Sequence, residues 1–203
     1  MASKPRLFRI IGITGPIASG KSVARTFFEE RGYAGIDADS EAKALYSDPD
    51  VRRRVSCLVG PEAYGLDGVF LPSVVRRRAF ADATLLKRLE AILYPLLEER
   101  IEALLARARS EGFRGAVLEA VNLTQLPAAL RCDPIIAVVA ERETQIERLS
   151  AKGLAFGLML NIFAAQPTAR AFADRASVVI ENNASLDAFF AELGRVANAY
   201  GLV

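Results

Sequence analysis

The chain has 203 residues, 52% of them hydrophobic and 25% charged, the balance of a folded protein with a substantial core and not of a disordered chain. Its 26 basic and 24 acidic residues leave a formal net charge of +2, and the signs are well mixed, so nothing at the level of the whole chain argues for nucleic acid. There is no histidine, which excludes every mechanism that needs a histidine base, nucleophile or ligand, and the separated Cys57 and Cys132 suggest neither a disulfide framework nor a zinc site.

Lys4, Arg6 and Arg9 precede an apolar stretch, as in a secretory signal, but Gly12, Gly15 and Pro16 interrupt it and no small-residue cleavage site follows. The longest later apolar run, residues 153–165, is too short to span a bilayer. A cytoplasmic protein with no membrane partner is expected.

Residues 7–13 form a nearly continuous apolar run ending at glycine, the pattern of a strand buried on both faces. Over residues 21–31 the spacing of Val23, Ala24, Phe27 and Phe28 predicts one apolar helix face, and Gly32 stops that helix. Residues 33–37 read as a second strand, after which the pattern is helical as far as Gly115. Within that block Asp82 is placed to cap a long helix carrying Leu85, Leu89, Leu93, Leu97, Ile101 and Leu105, with a kink or break expected near Leu93 because Pro95 interrupts it. Residues 115–120, 135–140 and 178–180 read as further buried strands, and Ser185 caps a last helix bearing Leu186, Phe189, Phe190, Leu193, Val196 and Ala197. Strands alternating with helices imply a three-layer α/β fold around a parallel sheet of about five strands. The expected organisation is a core of residues 6–40 and 114–203 with a helical insertion over about 41–110.

The strongest local signal is Gly15-Pro16-Ile17-Ala18-Ser19-Gly20-Lys21-Ser22, a complete G-x-x-x-x-G-K-[ST] loop between a predicted buried strand and an amphipathic helix. Its glycines allow successive backbone N–H groups and the helix N-terminus to face phosphate oxygens. In such a P-loop Lys21 reaches the outer phosphates and the Ser22 hydroxyl ligates Mg²⁺. Asp37-Ala38-Asp39 follows the second strand directly. Were that segment extended, both carboxylates would project to one side, and phosphorylation of an alcohol needs one carboxylate near the hydroxyl and another near the metal. The alternative is that these residues cap the helix beginning near Ser40. Glu119, ending the third strand, is either a further acidic group near Mg²⁺ or a solvated strand end.

Taken together, the P-loop, Ile36-Asp37-Ala38-Asp39, the helical segment from Arg88 through Tyr94-Pro95-Leu96-Leu97, residues 145–149, and Val179-Ile180-Glu181-Asn182-Asn183 resemble the dephospho-CoA kinase family. The resemblance covers nearly the whole chain. It implies transfer of the γ-phosphoryl group of ATP to the ribose 3′-hydroxyl of dephospho-CoA. It makes Lys21 and the loop from Gly15 through Ala18, Ser19, Gly20 and Ser22 to Val23 the ATP cradle, Ser22 a Mg²⁺ ligand, and Asp37 and Asp39 the metal-side carboxylate and the base. It further implies a helical block that holds the acceptor, a lid over about residues 150–167 with Arg148 among the phosphate-closing residues, and Asn182 and Asn183 near the adenine. Apart from the resemblance, a monomer or weak homo-oligomer is expected.

Several positions depart from the family pattern. Tyr94 stands where histidine is usual, Val121-Asn122-Leu123 where Pro-Leu-Leu is usual, and Lys152 where a second lid arginine is usual. Residues 153–163 carry no charge, which suits lid packing or a contact with another copy better than a membrane surface. These departures keep two other readings open, a catalytically silent nucleotide-binding relative and a kinase for another small hydroxyl acceptor. The clusters Arg52-Arg53-Arg54 and Arg76-Arg77-Arg78 are either pyrophosphate clamps or solvated helix faces.

Overall fold

Five short, largely apolar runs pair into one wholly parallel sheet: β1 (Arg9–Thr14), β2 (Tyr33–Asp37), β3 (Gly115–Glu119), β4 (Ile135–Val139) and β5 (Val178–Glu181), in the order β2-β3-β1-β4-β5. The computed structural model describes residues 7–82 and 84–203, with the backbone alone for Arg76, Ala79, Phe80 and Ala81; Lys4 and Arg6 of the basic N-terminus lie outside the described residues.

The central strands are covered on both faces, which is why β3 is buried along its whole length and β1 at all but its first residue. One face packs against α1 (Lys21–Glu29) and α9 (Leu186–Ala199), whose Ala24, Phe27, Phe28, Phe189, Leu193 and Ala197 meet Ile11, Ile13, Val117, Ile136 and Val138. Val23, expected on the buried stripe of α1, is instead 38% exposed. Ser185 caps α9 as expected, its Oγ accepting from the Ala188 N–H at 3.2 Å. The crossover from β3 to β4 contains two 3₁₀ turns, Leu123–Gln125 and Pro127–Arg131. Pro127 opens the second of these turns, a position that needs no backbone N–H. After β4 come α6 (Arg142–Ala151), α7 (Phe156–Ala165) and the short α8 (Ala169–Ala173).

The chain separates into two compact units, one of residues up to Asp37 together with Leu105–Val203, the other of Ala38–Leu104. The second is helical: α2 (Ala38–Leu45), α3 (Pro49–Val59), α4 (Pro72–Ala81) and most of α5 (Leu85–Ser110). Asp48 caps α3, its Oδ1 accepting from Asp50 N and Val51 N at 2.8 and 3.2 Å. Asp82 holds the turn before α5 by accepting from Thr84 N and Thr84 Oγ1 at 2.8 and 2.7 Å. Of the kink or break expected near Leu93, the break does not occur: α5 is one helix of 26 residues with Pro95 on its exposed side. Leu89, Leu93, Leu97 and Ile101, buried on both sides of the proline, supply packing that outweighs one missing backbone bond. Of the basic clusters, Arg52 lies 5.1 Å from the Tyr64 ring centroid, Arg53 pairs with Asp50 at 2.9 Å, and Arg78 pairs with Glu62.

Candidate functional site: the loop between β1 and α1

Three residues of the segment between β1 and α1 take positive φ: Gly15 (141°), Ala18 (57°) and Gly20 (110°). Two of these positions require glycine for a second reason. A Cβ at Gly15 would stand 2.0 Å from the Val138 carbonyl oxygen, and one at Gly20 2.3 Å from Asn182 Nδ2. The loop is therefore pressed against the ends of β4 and β5, and the backbone curls into the concave form that turns its N–H groups inward.

Side chains from two later elements hold the outer side of this curl. The Arg148 guanidinium, on α6, donates to the carbonyls of Ala18 and Ser19 at 3.2 and 3.3 Å, and to Asn182 O and Oδ1 at 2.9 and 3.2 Å. Asn182 Nδ2 completes the tie by donating to Ser19 O at 2.8 Å. Asn183 faces elsewhere, its Oδ1 accepting from Glu141 N at 2.7 Å. Lys21, though charged, is 8% exposed, and its Nζ donates to Pro16 O at 3.0 Å across the loop. Ser19 Oγ is fully buried with no hydrogen-bond partner among the described residues.

The acidic side of the site lies at the C-terminal ends of β2 and β3. Parallel register sets Asp37 beside Glu119 and Glu119 beside Ile13, so the two carboxylate-bearing residues share a sheet face on neighbouring strands about 4.8 Å apart. Glu119 is 5% exposed. It accepts from Ser22 Oγ at 3.0 Å and from Arg25 Nε at 2.9 Å. This removes the solvated strand end as a reading of Glu119. Burial works against the charge on Arg25, but the Glu119 hydrogen bond and the charges of Glu29, Glu119 and Asp37 outweigh it and raise its pKa. Asp39 is not on extended backbone. The chain enters α2 at Ala38, directly after β2, and Asp39 occupies the first helical turn, where an acidic residue complements the exposed N–H groups. The expectation that Asp37 and Asp39 project to one side as on a strand is thereby overturned.

A cavity of about 500 Å³ opens beside the start of α1 and is lined by Gly20, Ser22, Val23, Arg148, Lys152, Asn182 and Leu186. This explains the exposed Val23: it forms part of the wall. The site thus combines an anion-binding backbone loop, a buried cation, a hydroxyl on a carboxylate and an adjoining cleft. Arg25 and Gln166, whose Oε1 accepts from Ile17 N at 3.0 Å, are additions to the residues expected from sequence, and Glu119 is one that the sequence left between two readings. Position at the end of a buried central strand was the available signal for Glu119; for the other two no sequence pattern distinguishes them from surface residues.

A five-stranded parallel sheet with this loop after its central strand defines the P-loop class of α/β phosphate-binding proteins. The dephospho-CoA kinase family model matches residues 9–188. A dephospho-CoA kinase of Geobacter sulfurreducens is 37% identical over 182 residues, covering 86% of this chain and 89% of that one. A Thermus thermophilus protein of solved structure superposes with a TM-score of 0.77 at 28% identity, over 95% of this chain and 97% of the other. The dephospho-CoA kinase of Campylobacter jejuni shares the fold, with a TM-score of 0.56 at 17% identity over 95% of this chain and 97% of its own. The chain belongs to the dephospho-CoA kinase family.

Proposed function

We propose that this protein is a cytoplasmic enzyme that transfers the γ-phosphoryl group of ATP to the ribose 3′-hydroxyl of dephospho-CoA, giving CoA. The observation that carries the reading is the loop itself: a chain of this family keeps its left-handed residues, its buried Lys21 and the Ser22–Glu119 bond intact. The inward N–H groups and Lys21 hold the nucleotide phosphates, and the cleft bounded by Val23, Lys152 and Leu186 receives the nucleoside. Arg148 and Asn182 serve this site by fixing the loop's carbonyl side, since their side-chain hydrogen bonds run to the loop or to each other.

The residues present also fit Mg²⁺. Its usual protein donors in phosphoryl transfer are one or two carboxylates and a hydroxyl, with phosphates and water completing the shell. Ser22 Oγ already rests on Glu119, and Asp37 stands in register beside it. We assign the metal to Ser22, Asp37 and Glu119, where it would neutralise phosphate charge. Asp39, at the start of α2, is assigned to the acceptor hydroxyl, which it orients and deprotonates. The helical unit, Ala38–Leu104, is assigned to acceptor binding. Chemistry here is positional and electrostatic.

The test is direct: purified protein with Mg·ATP and dephospho-CoA, CoA being followed by mass. CoA is expected, and Lys21→Ala is expected to abolish it while the melting curve is retained. Asp39→Asn should lower kcat about 10²–10⁴-fold, the range for a lost general base, with ATP affinity little changed. If Asp37→Asn has that effect and Asp39→Asn does not, the two roles are reversed. Because α7 carries no charged residue, a second reading as a silent nucleotide-binding relative has its own signature: tight ATP binding without CoA formation, unaltered in Lys152→Arg.

A further inference from the structure

The Pro16–Ile17 peptide of the loop is hydrogen-bonded at both edges. Its carbonyl oxygen accepts from Lys21 Nζ at 3.0 Å, and its N–H donates to Gln166 Oε1 at 3.0 Å. A backbone N–H can only donate, so this contact fixes which end of the Gln166 amide is oxygen. Nε2, the donor end, is consequently turned away from the peptide and has no partner among the described residues. The three groups form one chain, ammonium to carbonyl and N–H to amide oxygen, in which each bond polarises the next. Withdrawal of electron density toward Lys21 makes the Gln166 Nε2–H a better donor than an isolated amide.

Gln166 is held in place from its own side as well. It directly follows α7. Phe163, near the end of that helix, lies under the Arg142 guanidinium at 3.9 Å, and Arg142 Nη1 also donates to Gln145 Oε1 at 3.3 Å. The nearby cations are committed: Arg142 to Phe163 and Gln145, and Arg148 to the carbonyls of Ala18, Ser19 and Asn182. Lys152 lines the cleft on the Gly20–Val23 side of the loop. At the Pro16–Ile17 side, where Lys21 sits to meet the outer phosphates, the side chain offering a fixed donor is that of Gln166.

We propose that Gln166 Nε2 donates a hydrogen bond to the terminal phosphate of the bound nucleotide, so that a neutral amide serves where α7 supplies no charged residue. The inference rests on the phosphotransferase reading above, and the class of ligand it concerns is a nucleoside triphosphate as distinct from a diphosphate.

Two variants separate this role from simple bracing of the loop. Gln166→Ala removes both ends of the amide. Gln166→Glu keeps an oxygen for the Ile17 N–H but replaces the donor with an anion. Calorimetric titration with ATP and with ADP is the measurement. Both variants are expected to weaken ATP by about tenfold or more, the worth of a hydrogen bond to a charged group, and to leave ADP affinity unchanged. Unchanged ADP binding also certifies the fold. Wild-type ATP affinity in Gln166→Glu, or equal losses for ATP and ADP in Gln166→Ala, would overturn the proposal in favour of bracing alone. A wild-type protein that binds neither nucleotide would overturn the phosphotransferase reading and this inference with it.

Discussion

Arg148 shows how a single side chain can serve a site by holding the backbone that forms it. Its guanidinium makes four hydrogen bonds, to the carbonyls of Ala18, Ser19 and Asn182 and to Asn182 Oδ1. A planar fork can hold acceptors on several sides at once, which an ammonium on a flexible stem cannot. Arg148→Lys is therefore expected to behave like Arg148→Ala: KM for ATP rises, kcat falls less, and unfolding loses about 2 kcal/mol, the scale for charge-assisted bonds to carbonyls left without donors. Steady-state kinetics and chemical denaturation check both halves, and full rescue by lysine would show that the fork geometry is not needed. The sequence announced the loop because glycine, lysine and serine at fixed spacing have one common use. Glu119 was ambiguous, since a strand-end glutamate reads alike whether solvated or buried. Only the register with Asp37 and the contacts to Ser22 and Arg25 decide it.

At the scale of elements, strands were legible because parallel strands buried on both faces read as unbroken apolar runs, and β1, β3 and β4 are of this kind. Helix continuity was less legible, because local propensity and tertiary packing conflict at Pro95. An interior proline costs a helix about 3 kcal/mol relative to alanine, yet α5 runs through it on the strength of leucines buried before and after. Because Pro95 itself is exposed, Pro95→Ala should restore a backbone bond without disturbing the packing. A gain of about 1–3 kcal/mol in unfolding free energy is expected from denaturant titration; a loss would mean that a bend at this position is required for packing. α7 presents the opposite conflict. Its composition suits a buried helix, but only Met159 is buried, while Phe156, Leu158 and Leu160 are exposed at 59%, 44% and 51%. Hydrophobicity without a strong one-sided pattern gave no means of telling a covered helix from an open one.

For the molecule as a whole, the lack of histidine removes the side chain that ordinarily titrates between about pH 5 and 8, so the pH dependence of stability moves outward, and its alkaline limb is set by tyrosines of the helical unit. Tyr46 and Tyr94 are both pushed up to about 12, in each case chiefly by burial; neighbouring Tyr64 and Tyr94 add to the shift of Tyr46, and Glu90 to that of Tyr94. Tyr64 is raised by burial against an opposing Arg52. A phenol in the unfolded chain titrates near about 10. The folded state therefore holds these protons more tightly than the unfolded state does, and the sign follows: their contribution is fully present below about pH 10 and is lost as the pH climbs through the folded values. Denaturant midpoints should decline between pH 10 and 12, and tyrosinate absorbance should show phenols titrating at about 12. Tyr46→Phe keeps the ring that stacks on Phe70 at 3.6 Å and removes one titrating proton. Its midpoints should decline less steeply over the same interval, and an identical slope would mean that another group governs the alkaline limb.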